Sequence, residues 1–161
     1  MPTILLVRGW RVFFYSNENN EPMYVHARKG DAECKFWIYA DRFEIEEVFE
    51  FNLTPRLRRE IRQVLFEHFD EICSDGRSIL RLMQTRIEPI FARAIHPTTD
   101  ALIVELDDRT VSISWERCSA RLAKADEAQR LRAELSPSGY GIHWPLLDED
   151  LAIGPLVDPH R

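Results

Sequence analysis

The 161-residue chain lacks most of what familiar chemistries require. It has three cysteines, Cys34, Cys73 and Cys118, an odd number with no paired spacing. A disulfide framework is therefore not expected, and a reducing, cytoplasmic setting is the natural reading. No stretch approaches the roughly 20 apolar residues that a membrane span needs. The opening MPTILLVRGW has a short apolar run broken at Arg8, which does not fit a secretory signal. The six glycines build no P-loop, no G-x-G-x-x-G turn and no G-x-S-x-G setting for a serine nucleophile. His26, His68, His96, His143 and His160 are scattered, and no Cys/His spacing resembles a zinc clip, so neither a metal nor a cofactor is expected. Positive charge is in deficit, with 21 Lys+Arg against 27 Asp+Glu and a net charge of −6. That balance argues against a protein built to coat nucleic acid.

What is present suits a packed protein of one domain or two small ones. Hydrophobic residues make up 45% of the chain, enough for an ordinary core. Charge is unevenly spread. Residues 1–86 carry 13 Lys+Arg and 14 Asp+Glu, whereas residues 87–161 carry 8 and 13. An acidic half beside a near-neutral half permits self-association.

β-Branched and aromatic residues dominate 4–7 and 10–15 around Gly9, and 23–28 and 34–39 around Lys29-Gly30-Asp31; both patterns predict hairpins. Residues 43–51 are ambiguous. Thr54-Pro55 announces a helix, with Thr54 as cap and Pro55 in the first turn. Leu57, Ile61, Val64, Leu65 and Phe69 give that helix one apolar face. Cys73 to Gly76 ends it, and Ser78 to Arg86 reads as a shorter helix. After Pro89, residues 90–95 read as a strand. Residues 101–106 and 110–115 alternate as a hairpin about Asp107-Asp108-Arg109. Asp126 to Leu135 reads as a short helix stopped by Ser136-Pro137-Ser138-Gly139. The expected fold class is α+β, with two small domains, each an antiparallel sheet with helix on one face. The expected boundaries are 1–76, a linker or short helix at 77–86, and 87–161.

Two constellations stand out. Tyr24, His26 and Arg28 share one face of a predicted strand, and with Lys35 they are candidates for phosphate binding or acid–base chemistry centred on His26. A half-exposed polar strand face is the plainer reading. Arg56, Arg58, Arg59 and Arg62 share their helix with Glu60 and Glu67, and a solvated mixed-charge surface is the better account. The sharpest motif is Gly139 to Leu151, GYGIHWPLLDEDL. Pro145 disfavours helical geometry at Trp144, so His143-Trp144-Pro145 reads as a corner that buries an indole. Asp148, Glu149 and Asp150 read as an acidic rim, suited to a basic partner or to capping a following helix. His143, Trp144 and the three acids are the candidate binding residues here.

The first half resembles the domain-of-unknown-function family DUF4160, a group of small bacterial proteins, from about Met1 to Asp70. The likeness rests on Met1-Pro2-Thr3-Ile4, Phe13-Phe14-Tyr15-Ser16-Asn17-Glu18, Glu21-Pro22, Val25-His26 and Lys35-Phe36-Trp37. Members usually carry Pro-Pro-His-x-His where this chain has Pro22-Met23-Tyr24-Val25-His26, so the second imidazole is kept and the first is replaced by Tyr24. The second half resembles the family DUF2442 from about Ile87 to Leu156, through Gly139 to Asp150. Arg132-Ala133 stands where that family often has Asn-Trp. The resemblance implies that genes for these two families sit side by side in arrangements of toxin–antitoxin type. It carries no catalytic mechanism.

Three function classes follow in order. The first is a bacterial regulatory or interaction protein with toxin-like and antitoxin-like halves in one chain, its partner contact being between its own domains. The second is an enzyme acting on RNA or a nucleotide, with His26 as acid–base and Arg28 or Lys35 holding phosphate. A DNA-binding autoregulator ranks last, because the acidic second half offers no basic recognition helix.

Overall fold

The computed structural model describes residues 3–17, 23–75 and 88–159. By their contacts these fall into two compact units, one of residues 3–14 and 23–75, the other of residues 15–17 and 88–159. Each is α+β with antiparallel sheets. The segments expected as a linker and as a helix at 78–86 lie outside the described residues.

The first unit is a five-stranded meander, β1 (Thr3–Val7), β2 (Trp10–Phe13), β3 (Tyr24–Lys29), β4 (Ala32–Tyr39) and β5 (Glu44–Phe51), paired in chain order. Val7 faces Trp10 across a two-residue turn in which Arg8 and Gly9 both have positive φ, 53° and 81°. That conformation matches the right-handed strand twist. Period-two alternation then sorts the side chains. Trp10, Val12, Val25, Ala27, Cys34, Phe36 and Ile38 are buried in one core with Ile61, Val64, Leu65, Phe69 and Ile72. Those last five come from α1 (Pro55–Glu67) and α2 (Phe69–Asp75). Thr54 accepts the Leu57 N–H at 3.2 Å and Pro55 opens the helix, as its sequence predicts. The expected single helix breaks at His68, so Phe69 belongs to α2. Of the ambiguous residues 43–51, Phe43 sits in the turn at φ of 51° and residues 44–51 form a strand, because β5 closes the sheet on β4. Of the arginines, Arg58 is tied to Glu47 and Glu50, while Arg56 and Arg59 are exposed.

A second polar contact ties α1 to the sheet at its other side. The Glu60 carboxylate accepts hydrogen bonds from Lys29 Nζ and from Trp10 Nε1, the latter at 2.7 Å. Trp10 is fully buried, so its indole N–H needs such a partner. Burial also pushes the Cys34 thiol far up, which keeps it protonated and inert.

The second unit has two three-stranded sheets. One is β6 (Ala94–Pro97), β7 (Ala101–Glu105) and β8 (Thr110–Ser114); the other has the order β11-β10-β9, with β9 (Glu134–Leu135), β10 (Gly141–Trp144) and β11 (Glu149–Ala152). Short helices α3 (Trp115–Cys118), α4 (Ala120–Lys124) and α5 (Glu127–Leu131) connect β8 to β9, and α6 (Ile153–Val157) follows β11. The hairpin at 101–115 forms with Leu102 opposite Ile113 and Val104 opposite Val111, while Trp115 passes into α3. Residues 90–93, expected as a strand, are not one; β6 starts at Ala94. The helix expected over 126–135 ends at Leu131, although Asp126 does cap it in a reciprocal box with Gln129. The core joins both sheets through Trp115 and Trp144, whose rings meet edge to face at 6.5 Å. Their indole N–H groups donate to Thr98 O and Arg130 O, each at 3.1 Å. Burial raises the Cys118 thiol to about 12.

The hydrogen bonds from Lys29 and then Trp10 hold the Glu60 pKa below its ordinary value near 4.5. A depressed carboxylate stabilises the fold above the unfolded value, and that contribution is lost as pH falls through the folded value. Glu60→Gln should therefore lower the unfolding midpoint at pH 7. The gap from the parent protein should close when denaturation is repeated at progressively lower pH below about 4.5.

Candidate functional site

In the first unit, Tyr24, His26 and Arg28 point to the sheet face opposite the helices, as period-two alternation requires. The register sets His26 between Phe13 on β2 and Lys35 on β4. Phe13 stacks on the imidazole at 5.7 Å, and Tyr24 meets it edge-on at 5.4 Å. The Lys35 ammonium lies 4.6 Å from the Tyr24 ring centre, and the Arg11 guanidinium lies 4.2 Å from that of Phe13. Arg28 stands between Arg11 and Glu33 in the register. The four sequence-predicted residues therefore share one face, joined by Arg11 and Phe13, which sequence reasoning missed. Their alternation within β2 was the available signal. His26 and Lys35 are buried, so the imidazole is an aromatic-flanked group rather than an exposed acid–base.

In the second unit the GYGIHWP stretch is built by close approach. Gly139 has φ of 82°, and a Cβ there would lie 2.1 Å from the Ala92 carbonyl oxygen. The Ala92 N–H donates to Gly139 O at 2.8 Å, so the two backbones touch. A Cβ on Gly141 would lie 2.2 Å from the Tyr15 ring. Tyr15 stacks on Tyr140 at 5.5 Å. Residues 15–17 line β11 within this unit. Ser16 N donates to Asp150 O at 2.9 Å, Asn17 Nδ2 donates to Ala152 O at 2.9 Å, and Ala152 N donates to Asn17 Oδ1 at 2.7 Å. These bonds satisfy an edge strand that would otherwise stand open. No sequence signal marked them, because the partners lie up to 135 residues apart.

The acidic triplet does not form one rim. Trp144 is wholly buried and its N–H is taken, so it is a core residue and not a binding residue. Glu149 is buried as well, accepting from Ser16 Oγ, with Arg121 Nε 3.8 Å away. Asp148 to Asp150 cap no helix; Glu149 and Asp150 are in β11, and α6 begins only at Ile153. Asp148 ends the β10–β11 turn in the left-handed region, at φ of 45°. His143 lies directly opposite Asp150, its Nδ1 3.1 Å from Asp150 Oδ1. Donor atoms of His143, Asp148 and Asp150 all lie within 4.8 Å of one another.

The fold thus defines a two-part α+β protein, a helix-backed meander followed by a double three-stranded sheet. Comparison with family models gives the parts their names. Residues 9–75 match DUF4160, described as a domain of unknown function, and residues 92–161 match DUF2442, described as a protein of unknown function. The chain carries one domain of each family, as the sequence resemblance implied. Neither the curated proteins nor the solved structures yielded a match.

Both glycines should resist substitution. Gly139→Ala combines a left-handed backbone with a backbone clash and should cost at least ~2 kcal/mol in denaturant unfolding. Gly141→Ala should cost about 1–3 kcal/mol through the displaced Tyr15 ring. In a double-mutant cycle, Tyr15→Ala should recover part of the Gly141 loss; strict additivity would mean that the ring is not the obstacle.

Proposed function

We propose that this is a bacterial, cytoplasmic regulatory module of toxin–antitoxin type. A toxin-like DUF4160 half and an antitoxin-like DUF2442 half are held in one chain, and the second masks the Tyr24, His26, Arg28 and Lys35 face of the first. The observation that carries this reading is the membership of residues 15–17 in the DUF2442-bearing unit, although they fall inside the stretch matched by DUF4160. Two further features support it. The helices of the first unit pack on one face of its sheet, leaving the other as a mixture of Phe13, Tyr24 and Trp37 with Arg11, His26 and Lys35. Aromatic and cationic groups interleaved in this way suit a protein partner. The second half supplies the acidic complement, with 8 Lys+Arg against 13 Asp+Glu. Covalent linkage gives such a pair an effective concentration on the order of millimolar, so masking is the resting state.

An enzymatic reading on RNA or a nucleotide is favoured by one observation, the setting of His26 directly opposite Lys35 with Arg28 on the same face. In that reading His26 moves the proton and the cations hold phosphate.

A protease site placed within residues 77–86 tests the masking. After cleavage the halves should co-elute at micromolar concentration and separate at high salt; separation in low salt would sink the proposal. For the enzymatic reading, residues 1–76 produced alone should arrest bacterial growth, and His26→Ala should abolish the arrest. Unchanged arrest by that variant would leave the imidazole without a catalytic role.

A further inference from the structure

We infer that the β10–β11 hairpin binds one divalent transition-metal ion of the zinc class, ligated by His143 Nδ1 and by the carboxylates of Asp148 and Asp150. This site lies wholly within the second unit and does not rest on the masking proposal.

Three observations carry it. Strand pairing sets His143 against Asp150, and their Nδ1 and Oδ1 atoms are 3.1 Å apart. Two ligands each about 2.1 Å from one ion at tetrahedral or octahedral angles stand about 3.0–3.4 Å apart, so this edge has the spacing of a coordination shell. Asp148 brings a third donor within 4.8 Å from the turn that joins the same two strands. Nδ1 is shut off from solvent and makes no hydrogen bond, although a carboxylate oxygen is close enough to receive one. The neighbouring oxygen is thus not in line with a proton on that nitrogen. A buried ring nitrogen is unfavourable unless something engages it, and a cation between the three donors would engage all of them.

The donor set selects the ion. One imidazole nitrogen with two carboxylate oxygens suits zinc, manganese or iron, whereas calcium and magnesium prefer all-oxygen shells. Three protein ligands leave at least one position for water or for a group from another molecule. The competing account is a plain imidazolium–carboxylate pair between His143 and Asp150, which would show no dependence on metal.

The test uses the full chain, stripped by a chelator and titrated with Zn²⁺ in a calorimeter. One site with a dissociation constant of about 10 µM or tighter is expected. Asp148→Asn and His143→Gln should each weaken it at least ~10-fold. His68→Gln and His96→Gln should not, although those rings also lie beside carboxylates, Glu71 at 3.1 Å and Glu105 at 3.3 Å. Circular dichroism checks that each variant folds. If either hairpin variant does not, the parent chain decides, through a Zn²⁺-dependent shift of the His143 ring nitrogens in NMR spectra. Lack of saturable binding at about 100 µM Zn²⁺, binding that survives both hairpin substitutions, or unmoved His143 nitrogens would overturn the inference.

Discussion

The pairing of β10 with β11 is the constraint on which the second unit depends. Strand side chains alternate, so a slip of one residue would exchange Trp144 with His143 between core and outer face. The observed register puts Trp144 in the core against Trp115 and sets His143 beside Asp150. Local chemistry fixes it from both ends. Gly139 and Gly141 allow contacts at which any side chain would collide, with the Ala92 backbone and the Tyr15 ring. At the other end, Leu147 N donates to Trp144 O at 3.1 Å, and Asp148 takes a left-handed backbone to re-enter the sheet. The motif that reads as a corner burying an indole is therefore largely a packing device. Its outer side is what remains for chemistry.

The first unit solves a different problem. A five-stranded meander with helices on one side must still do something with its other side. Here that side alternates aromatic rings with cations, so rings flank His26 and cations cap rings. The helix side is held chiefly by apolar burial and by the Glu60 bridge to Trp10 and Lys29. One face is thereby devoted to stability and the other to composition that stability alone does not demand.

The sequence disclosed local order better than distant contact. Turn chemistry at Gly9 and Gly30, the Thr54-Pro55 start and the Asp126 cap all describe forces acting within four or five residues, and all appear in the structure. Residues 90–93 misled because apolar character there reflects burial of Ala92 against Gly139, not strand pairing. The acidic triplet misled because adjacent carboxylates in a strand face opposite ways: Glu149 turns to Ser16 and Arg121, Asp150 to His143. Grouping of Tyr24, His26, Arg28 and Lys35 was legible, since period and hairpin register suffice to place them. Arg11 and Phe13 needed the β2–β3 register as well.

The bonds that tie residues 15–17 to β11 have a consequence for biogenesis. A ribosome releases Tyr15 long before Ala152, and the edge of β11 cannot be closed until both exist. Completion of the second unit is therefore a late, long-loop event with a high contact order, whereas the hairpins of the first can form as they emerge. Until that closure, the chain presents an unsealed strand border, the period in which it is most open to capture by a chaperone or by a neighbouring nascent copy.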